Sequence, residues 1–255
     1  MKITILGSGS KGNSVLVEIK DKKILLDAGF SYKEIKNRLE KIKVYPKDID
    51  YIFISHDHSD HISALKVFLN HNNPDVYISK KIADLYSYIA EYKNVHFLED
   101  DLYFDDFDML LIPTSHDATS SNGYIITEYE SNESLVYLTD TGYINQRNFK
   151  FLENREYYIF ESNHDTDMLI KGKYPPHSQR RILSPIGHLS NIDSSIYLSK
   201  FIGNKTKKII LAHLSEENNR EDVAISTFKK VMIEENIDFT NVSCAKQDEI
   251  VVIND

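Results

Sequence analysis

The sequence predicts a layered α/β domain. Short apolar segments typical of strands alternate with segments of helical periodicity along most of the 255 residues. Such alternation is typical of sheets covered by helices. The length suits one large domain or two small ones, and no Pro/Gly/Ser-rich linker or internal repeat divides the chain. We therefore expect a single domain over residues 1–255.

The predicted strands and helices form two similar blocks. Strands are expected at 2–6, 14–19, 23–27, 50–54, 75–78, 107–112, 123–128, 134–139, 156–161, 207–211 and 249–253. Helices are expected at 31–42, 61–69, 80–91, 145–153, 190–201 and 217–235. The first helix has the clearest signals. Ser31 and Glu34 have the spacing of a capping box, and Ile35, Leu39 and Ile42 form one apolar face.

The most informative segment is the run HDHSDH that starts at His56, directly after the apolar segment Tyr51–Ile54. Imidazole and carboxylate are ligands of Zn²⁺ and similar ions. In an extended chain His56 and His58 point the same way, so both can bind one ion. Asp60 and His61 follow where the chain turns and can reach a second ion. Two ions about 3.5–4 Å apart form a hydrolytic site. A solvated polar loop is the alternative, but so many histidines at a strand end favour a metal site.

The spacing His-x-His-x-Asp-His resembles the signature of the metallo-β-lactamase superfamily, and the resemblance covers nearly the whole chain. It implies an αββα sandwich of two mixed β-sheets, with helices on the outer faces and the metals at one edge. It also implies further ligands at the ends of later strands. His116, Asp140 and His213 each follow an apolar segment, in the expected order.

The resemblance implies a site for two divalent metal ions, Zn²⁺ or Mn²⁺, and Fe²⁺ is compatible with the same ligands. The expected ligands are His56, His58 and His116 for the first ion, Asp60, His61 and His213 for the second, and Asp140 between them. Two such ions would share a water, lower its pKa toward neutrality and neutralise phosphate oxygens. Asp60 would also orient the nucleophile, and Asp57 would support the loop or a ligand histidine.

Four further motifs narrow the choice within the superfamily, which fold alone cannot do. They lie at residues 7–14, 161–165, 187–191 and 212–219. With them the chain resembles the YycJ/WalJ-type proteins, a bacterial branch described as 5′-to-3′ double-stranded DNA exonucleases. The Gly-His-x-Ser piece also resembles nucleases of the ribonuclease J and ribonuclease Z type. Unlike ribonuclease J, this chain has no room for a β-CASP domain before its last ligand.

Two residues outside the ligand set are predicted to act in catalysis. His188 is expected to contact the scissile phosphate and to stabilise or protonate the leaving oxygen, and Glu161 to orient the imidazole. Ser190 or Asn191 would cap the following helix, and Gly187 would let the backbone approach the substrate. The alternative is a loop histidine with a structural hydrogen bond.

The glycine-rich segment at residues 7–12 fits the dinucleotide pattern G-x-G-x-x-G, and Asp27 lies about twenty residues on. That fingerprint requires a helix after the glycines. Here Val15, Val17 and Ile19 alternate with other residues as in a strand. We therefore expect a tight loop that brings backbone close to the metal site, and no nucleotide cofactor.

Composition limits the partners and the location. The formal net charge is −9, whereas nucleic-acid-binding domains are more often basic. Lys171, Lys173, Arg180 and Arg181 nevertheless form a local basic cluster, while the lysines at 205–208 fit a solvated face. No apolar segment is long enough to cross a membrane. The only cysteine, Cys244, fits a small core residue, and a cytoplasmic protein is expected. Oligomeric state has no sequence signal.

Three functions are compatible with these signals. The first is a dinuclear metal-dependent phosphodiester hydrolase, an exonuclease on double-stranded DNA, with RNA a less favoured substrate. The second is a hydrolase of a small ester, thioester or lactone, which the acidic surface suits and which should have a closed pocket. The third is a binding module without catalysis, against which a complete ligand set argues.

Overall fold

The computed structural model describes residues 1–253, with the backbone only for Ala90, and it is an αββα sandwich. Two seven-stranded mixed sheets lie face to face, and helices cover their outer faces. The predicted fold class is confirmed. The last two positions of the predicted domain 1–255 lie outside the described residues.

The chain up to Phe97 builds one sheet, the chain from Leu102 to Cys244 builds the other, and the last strand returns to the first sheet. The strands are β1 (Lys2–Gly7), β2 (Ser14–Ile19), β3 (Lys22–Leu26), β4 (Tyr51–Phe53), β5 (Asp75–Ile78), β6 (Val95–Phe97), β7 (Leu102–Tyr103), β8 (Phe107–Pro113), β9 (Asn122–Glu128), β10 (Ser134–Leu138), β11 (Tyr157–Glu161), β12 (Lys208–Ala212), β13 (Val242–Cys244) and β14 (Val251–Val252). The helices are α1 (Tyr32–Lys41), α2 (Ser59–Ile62), α3 (Leu65–His71), α4 (Lys80–Ala83), α5 (Phe149–Leu152), α6 (Thr166–Lys171), α7 (Pro176–Ile182), α8 (Asn191–Phe201) and α9 (Glu221–Glu234). Single 3₁₀ turns lie at Pro46–Asp48, Ser87–Glu91 and Gln146–Asn148.

The two sheets have the same internal design. The first has the order β14-β1-β2-β3-β4-β5-β6 and changes from antiparallel to parallel pairing at β3. The second has the order β13-β12-β11-β10-β9-β8-β7 and changes at β10. Ligand sites of α/β sheets lie beyond the carboxyl ends of parallel strands. Strands β3, β4, β10, β11 and β12 end near Asp27, His56, Asp140, Glu161 and His213, whose side chains meet at one edge.

Three apolar layers hold the sandwich together. The central layer joins inward-facing side chains of both sheets, such as Val17 and Ile24 of the first and Ile126 and Ile159 of the second. One outer layer packs the first sheet against α1 and α3, and the other packs the second sheet against α8 and α9. Burial of these apolar side chains is the main favourable term in folding.

Every predicted strand is present, with ends that agree within two residues. Sequence missed β6, β7 and β13, which are all edge strands of three residues or fewer. A strand that pairs on one side only and is this short leaves little periodicity to detect. The helix predicted at 31–42 is α1, and the Ser31 hydroxyl accepts a hydrogen bond from the Glu34 N–H at 3.2 Å.

The helix predicted at 61–69 is wrong in its bounds, because α2 already begins at Ser59 and a break separates it from α3. The break has a backbone cause. The Ala28 N–H donates to the His61 carbonyl at 2.8 Å, and the Ala64 N–H donates to the Ala28 carbonyl at 2.9 Å. These bonds take groups that a continuous helix would have used, and they tie α2 to the end of β3.

Three other helix predictions need correction. The segments 80–91 and 145–153 each contain a four-residue α-helix and a 3₁₀ turn instead of one helix. The helix predicted at 217–235 begins only at Glu221, because Asn218 and Asn219 are buried in the loop before it. Helices α6 and α7 were not predicted, since six or seven residues give no sustained apolar period. Within residues 1–253, no helix combines the length and apolar character needed to cross a bilayer.

Candidate metal centre

Three imidazoles form the first cluster of the site. The ligand atoms of His56, His58 and His116 all lie within 4.8 Å of one another. His116 Nε2 is 3.2 Å from His58 Nδ1, while its Nδ1 faces the Gly187 carbonyl at 3.1 Å. His56 Nδ1 lies 3.0 Å from the Ser55 hydroxyl. In His56 and His116, therefore, one ring nitrogen is held by the protein and the other faces the cluster, as metal-binding histidines require.

The second cluster combines one carboxylate with two imidazoles. Asp60 Oδ2 lies 3.4 Å from His61 Nε2 and 3.5 Å from His213 Nε2. These three residues again have ligand atoms within 4.8 Å of one another. Asp60 and His61 lie in the single turn of α2, and His213 follows β12 directly. The turn predicted after His58 therefore brings Asp60 and His61 to the residue that ends a distant strand.

Asp140 lies between the two clusters. Its Oδ2 is 3.2 Å from His61 Nε2, and its Oδ1 is 3.8 Å from His116 Nε2 and 3.4 Å from His213 Nδ1. Asp27, Asp140 and His213 all have left-handed backbone, with φ of 60°, 58° and 55°. Such conformations are costly for residues other than glycine and are common at functional sites.

The two clusters differ in protonation. Burial, with the neighbouring His61 imidazole, holds the pKa of His56 well below its usual value, and burial lowers the pKa of His116. Burial also opposes the charged form of His213, but Asp140, Asp60 and Glu161 outweigh it and raise its pKa to about 10. Asp27 and Asp140 likewise raise the pKa of His61 well above its usual value.

Several buried polar atoms in this region make no hydrogen bond among the described residues. They include His56 Nε2, His213 Nε2 and Asp140 Oδ2. A buried polar atom without a partner costs roughly 1–3 kcal/mol, and all three atoms belong to predicted ligands. Imidazole and carboxylate are also the right donors for divalent transition ions. The residues present therefore fit a metal centre.

Asp27 positions a predicted ligand and was missed as such from the sequence. Its Oδ2 lies 2.7 Å from His61 Nδ1 and accepts a hydrogen bond from the Tyr137 hydroxyl at 2.7 Å. Ser55 donates to it through both its backbone N–H and its hydroxyl. A carboxylate behind a ligand histidine fixes the ring and its tautomer. The residue that completed a false dinucleotide pattern therefore supports His61.

The glycine-rich loop lies against the site, as predicted. Asn13 accepts from the Ser8 hydroxyl at 2.9 Å and the Gly9 N–H at 3.0 Å, and its amide nitrogen is 3.3 Å from Asp60 Oδ2. Ser8 in turn accepts from the His213 N–H at 3.0 Å. A strand, β2, follows the loop, so the helix that a dinucleotide fingerprint requires is replaced by a strand.

His188 and Glu161 are paired. His188 Nδ1 lies 2.7 Å from Glu161 Oε1, and the Leu189 and Thr141 N–H groups donate to Glu161 Oε2 at 3.2 and 3.0 Å. Burial favours the neutral acid, but the His188 and His213 imidazoles lower the pKa of Glu161 to about 2. Asp140, Glu161, His188 and His213 also form a group that could bind an ion, so a ligand role for His188 must be tested against a catalytic one.

Comparison with known proteins identifies the family. Residues 7–213 match the family described as the metallo-beta-lactamase superfamily. The chain belongs to this superfamily. It is 39% identical over 233 residues to Exodeoxyribonuclease WalJ of Streptococcus pneumoniae, which covers 89% of this chain and 86% of the relative. It is 33% identical over 239 residues to Exodeoxyribonuclease YycJ of Bacillus anthracis, covering 92% and 90%.

Two solved structures share the fold of this chain. The metallo-beta-lactamase fold protein YhfI from Bacillus subtilis superimposes with a TM-score of 0.74 at 18% identity, over 98% of each chain. The short form of human tRNase Z superimposes with a TM-score of 0.70 at 16% identity, over 100% of each chain. At these identities the likeness concerns the fold alone.

On this metallo-beta-lactamase fold, a network of buried side chains joins three of the sequence motifs. The Asn191 and Asn219 side chains exchange hydrogen bonds at 2.9 Å, and the Ser162 hydroxyl donates to the Asn191 amide oxygen at 2.6 Å. Asn219 also donates to the Ser162 carbonyl. The motif residues that suggested a nuclease branch therefore hold the loops that carry Glu161, His188 and His213.

The loop around His188 packs closely on the end of α7. A Cβ on Gly187 would lie 2.3 Å or less from the carbonyl oxygens of Arg181 and Ile182. A glycine at position 187 is thus needed for this packing. Ser190 is the N-cap of α8, as predicted, and its hydroxyl accepts from the Asp193 N–H at 3.1 Å.

The predicted basic residues separate into different environments. Arg181 lines the cleft above the metal clusters and pairs with Asp117 through two hydrogen bonds. Arg180 is exposed and does not line this cleft. Lys171 pairs with Asp167 at 2.9 Å. The 205–208 lysines lie at the start of β12, at the opposite end of the strand from His213.

The remaining predicted positions have structural surroundings. Asp57 accepts hydrogen bonds from the Thr119 N–H and hydroxyl at 3.0 and 2.8 Å, so it supports the loop after His116. Cys244 is buried, and burial raises the pKa of its thiol to about 12. His164 is buried behind the site, and burial lowers its pKa to about 4.

Proposed function

We propose that the protein is an exodeoxyribonuclease that uses two divalent metal ions and acts on double-stranded DNA. The observation that carries the proposal is a pair of histidine and carboxylate clusters that share Asp140, in a chain 39% identical to an exodeoxyribonuclease over 89% of its length. Zn²⁺ and Mn²⁺ are the proposed metals. A cytoplasmic location is part of the proposal and rests on the single cysteine.

The three imidazoles of His56, His58 and His116 would hold the first ion. Asp60, His61 and His213 would hold the second, and Asp140 lies where it could contribute to both. When bound, such ions lower the pKa of water and neutralise charge on phosphate oxygens. All other contributions come from the chain itself.

Asp60 and Asp140 supply the negative charge that orients an attacking water. The Asp60 side chain is 21% exposed, whereas that of Asp140 is 2% exposed. Asp60 is therefore the carboxylate that can reach both a ligand and the solvent of the cleft. Burial opposes ionisation of Asp60, but the neighbouring imidazoles of His213 and His61 outweigh it and lower the pKa of Asp60, so this group is ionised at neutral pH.

His188 supplies the proton for the leaving oxygen. Its Nδ1 is held by Glu161, so Nε2 is the nitrogen available to a phosphodiester in the cleft, which His188 lines. The Glu161 carboxylate lies 2.7 Å from Nδ1 and fixes the orientation of the ring. As the bond from phosphorus to the leaving oxygen breaks, the Nε2 proton passes to that oxygen. Proton transfer of this kind contributes about 10²–10⁴-fold to the rate.

The test is hydrolysis by purified protein with Mn²⁺ or Zn²⁺. End-labelled duplex DNA, single-stranded DNA and RNA are compared with a panel of esters, thioesters and lactones. The proposal expects release of nucleotides from DNA ends, fastest with duplex DNA. Turnover of the ester panel without turnover of any nucleic acid would instead support the small-molecule hydrolase.

A further inference from the structure

Helix α7 and the turn that joins it to α6 form one wall of the cleft above the metal clusters. Tyr174 lies in this turn and lines the cleft together with Arg181 and His188. The Gln179 side-chain amide donates to the carbonyls of Ile170 and Tyr174 at 3.3 and 3.0 Å, across the turn. These bonds fix the backbone that presents Tyr174.

Tyr174 differs from the tyrosines of the core. Tyr124 and Tyr158 are buried, and their hydroxyls donate at 2.6 Å to backbone carbonyls. Tyr174 is half-buried, and within residues 1–253 its hydroxyl makes no hydrogen bond and its ring makes no aromatic or cation–π contact. A partly exposed aromatic ring that lines a cleft and has no such partner can contact a ligand bound there.

The size of the cleft limits what can reach the clusters. Its volume is about 210 Å³, below the range of about 300–1,000 Å³ typical of pockets for drug-sized ligands. Asp140 and His213 in its floor are buried. A space of this volume cannot enclose a base pair. A single unpaired nucleotide at a strand end could bring its phosphodiester to the clusters while its base lies against the cleft wall that contains Tyr174.

We propose that Tyr174 stacks on the base of an unpaired terminal nucleotide, while Arg181 faces the adjacent backbone. This inference rests on the proposed exonuclease function and names the form of the substrate that the site binds. Stacking on an aromatic ring tolerates every base, because each base has a π-face. It therefore suits an enzyme that removes nucleotides from any sequence. The duplex end must open first, at an unpairing cost of a few kcal/mol.

The experiment compares two DNA duplexes in which the digested strand ends in one unpaired nucleotide, so that neither end has to open before it binds. One carries a normal base there, and the other is abasic. Steady-state kinetics of the metal-loaded full chain are measured for wild type, Tyr174→Ala and Tyr174→Phe. Tyr103→Ala is the matched control, since Tyr103 is 73% exposed on β7 and does not line the cleft. A chromogenic phosphodiester without a nucleobase reports the chemistry alone.

For wild type, loss of the terminal base should raise KM by about 5- to 150-fold, the range of one base–aromatic stack. Tyr174→Ala should raise KM for the normal duplex by a similar factor and should not respond further to the abasic end. Tyr174→Phe should stay within about twofold of wild type, because the ring is kept. Turnover of the base-free diester should be unchanged in both variants and in Tyr103→Ala.

Three results would count against the proposal. Equal KM for normal and abasic ends in wild type would overturn it without any variant. An abasic penalty that persists in a folded Tyr174→Ala protein would place the base elsewhere. Loss of activity on the base-free diester would make Tyr174 structural. If the protein cleaves none of the DNA substrates but hydrolyses small esters, the exonuclease function itself is overturned. This outcome differs from the three results above, which concern Tyr174 alone.

Discussion

The first and second clusters form two halves of the metal centre that differ in charge. The first half consists of imidazoles, and burial keeps His56 and His116 neutral and ready to donate a lone pair. The second half places His61 and His213 among carboxylates, which raise their pKa. An ion enters the first half without displacing protons from these two imidazoles, whereas the second half must lose protons before it can bind. The two ion positions therefore differ in charge as well as in geometry.

The largest expected effect is at the carboxylate that belongs to the second half only. Asp60→Asn keeps the size of the side chain but removes its negative charge. We expect turnover on DNA to fall to below about one-thousandth of wild type, because the second ion and the attacking water both lose their carboxylate. Thermal melts should show an intact fold, and the first ion should remain. Near-normal turnover would remove Asp60 from the mechanism.

Substitution of His188 tests whether a residue outside the ligand set contributes to catalysis next to the second half. His188→Ala should lower turnover on a phosphodiester by about 10²–10⁴-fold while both ions stay bound. His177→Ala, at an exposed position of α7, is the matched control and should leave turnover unchanged. Metal content decides the interpretation, since loss of an ion would make His188 a ligand, and unchanged turnover would leave it a structural residue.

Substitution of Asp27, a residue that touches no substrate, should change the affinity of one half for its ion and not that of the other. Asp27→Asn should weaken binding of the second ion by about 10–100-fold, the usual cost of losing a carboxylate behind a ligand histidine. Asparagine tolerates the left-handed backbone of this position, so the fold should persist. Competition titration with a metal chelator measures both affinities. Equal weakening of both ions would contradict the separation of the two halves.

The smallest expected effect concerns the cleft wall. Reversing both Arg180 and Arg181 to Glu should raise KM for DNA and lessen its salt dependence. Because only Arg181 lines the cleft, we expect most of this effect at Arg181 and little at Arg180. Arg181→Gln alone should raise KM several-fold and lower the salt slope by about one, while Arg180→Gln should have little effect. Salt-independent binding, unaffected by either change, would favour a small-molecule substrate.

The ligand set could be predicted because its signal is local. Six consecutive residues from His56 carry most of it, and His116, Asp140 and His213 each end a recognisable apolar strand. The fold could be predicted from the same strands, since most of the predicted ones have four to seven residues. Local periodicity and local density are properties that a single sequence displays.

The supporting residues could not be predicted because their partners are far away in the chain. Asp27 meets His61 across 34 positions and Tyr137 across 110. Gly187 has its close approach to α7, which was itself too short to detect. Such contacts depend on how the two sheets are stacked, and the periodicity of individual segments does not indicate this stacking.

The most direct test of the two-halves account is metal content as a function of pH. Protein stripped of metal and reloaded with excess Zn²⁺ or Mn²⁺ should hold two ions per chain at pH 8 after dialysis. His213 has a raised pKa of about 10, so protons compete for it increasingly as the pH falls. His56, with its lowered pKa, stays neutral. As the pH is lowered from 8, the second ion should therefore be lost before the first. Protein that never holds more than one ion, or that loses both together, would contradict the account.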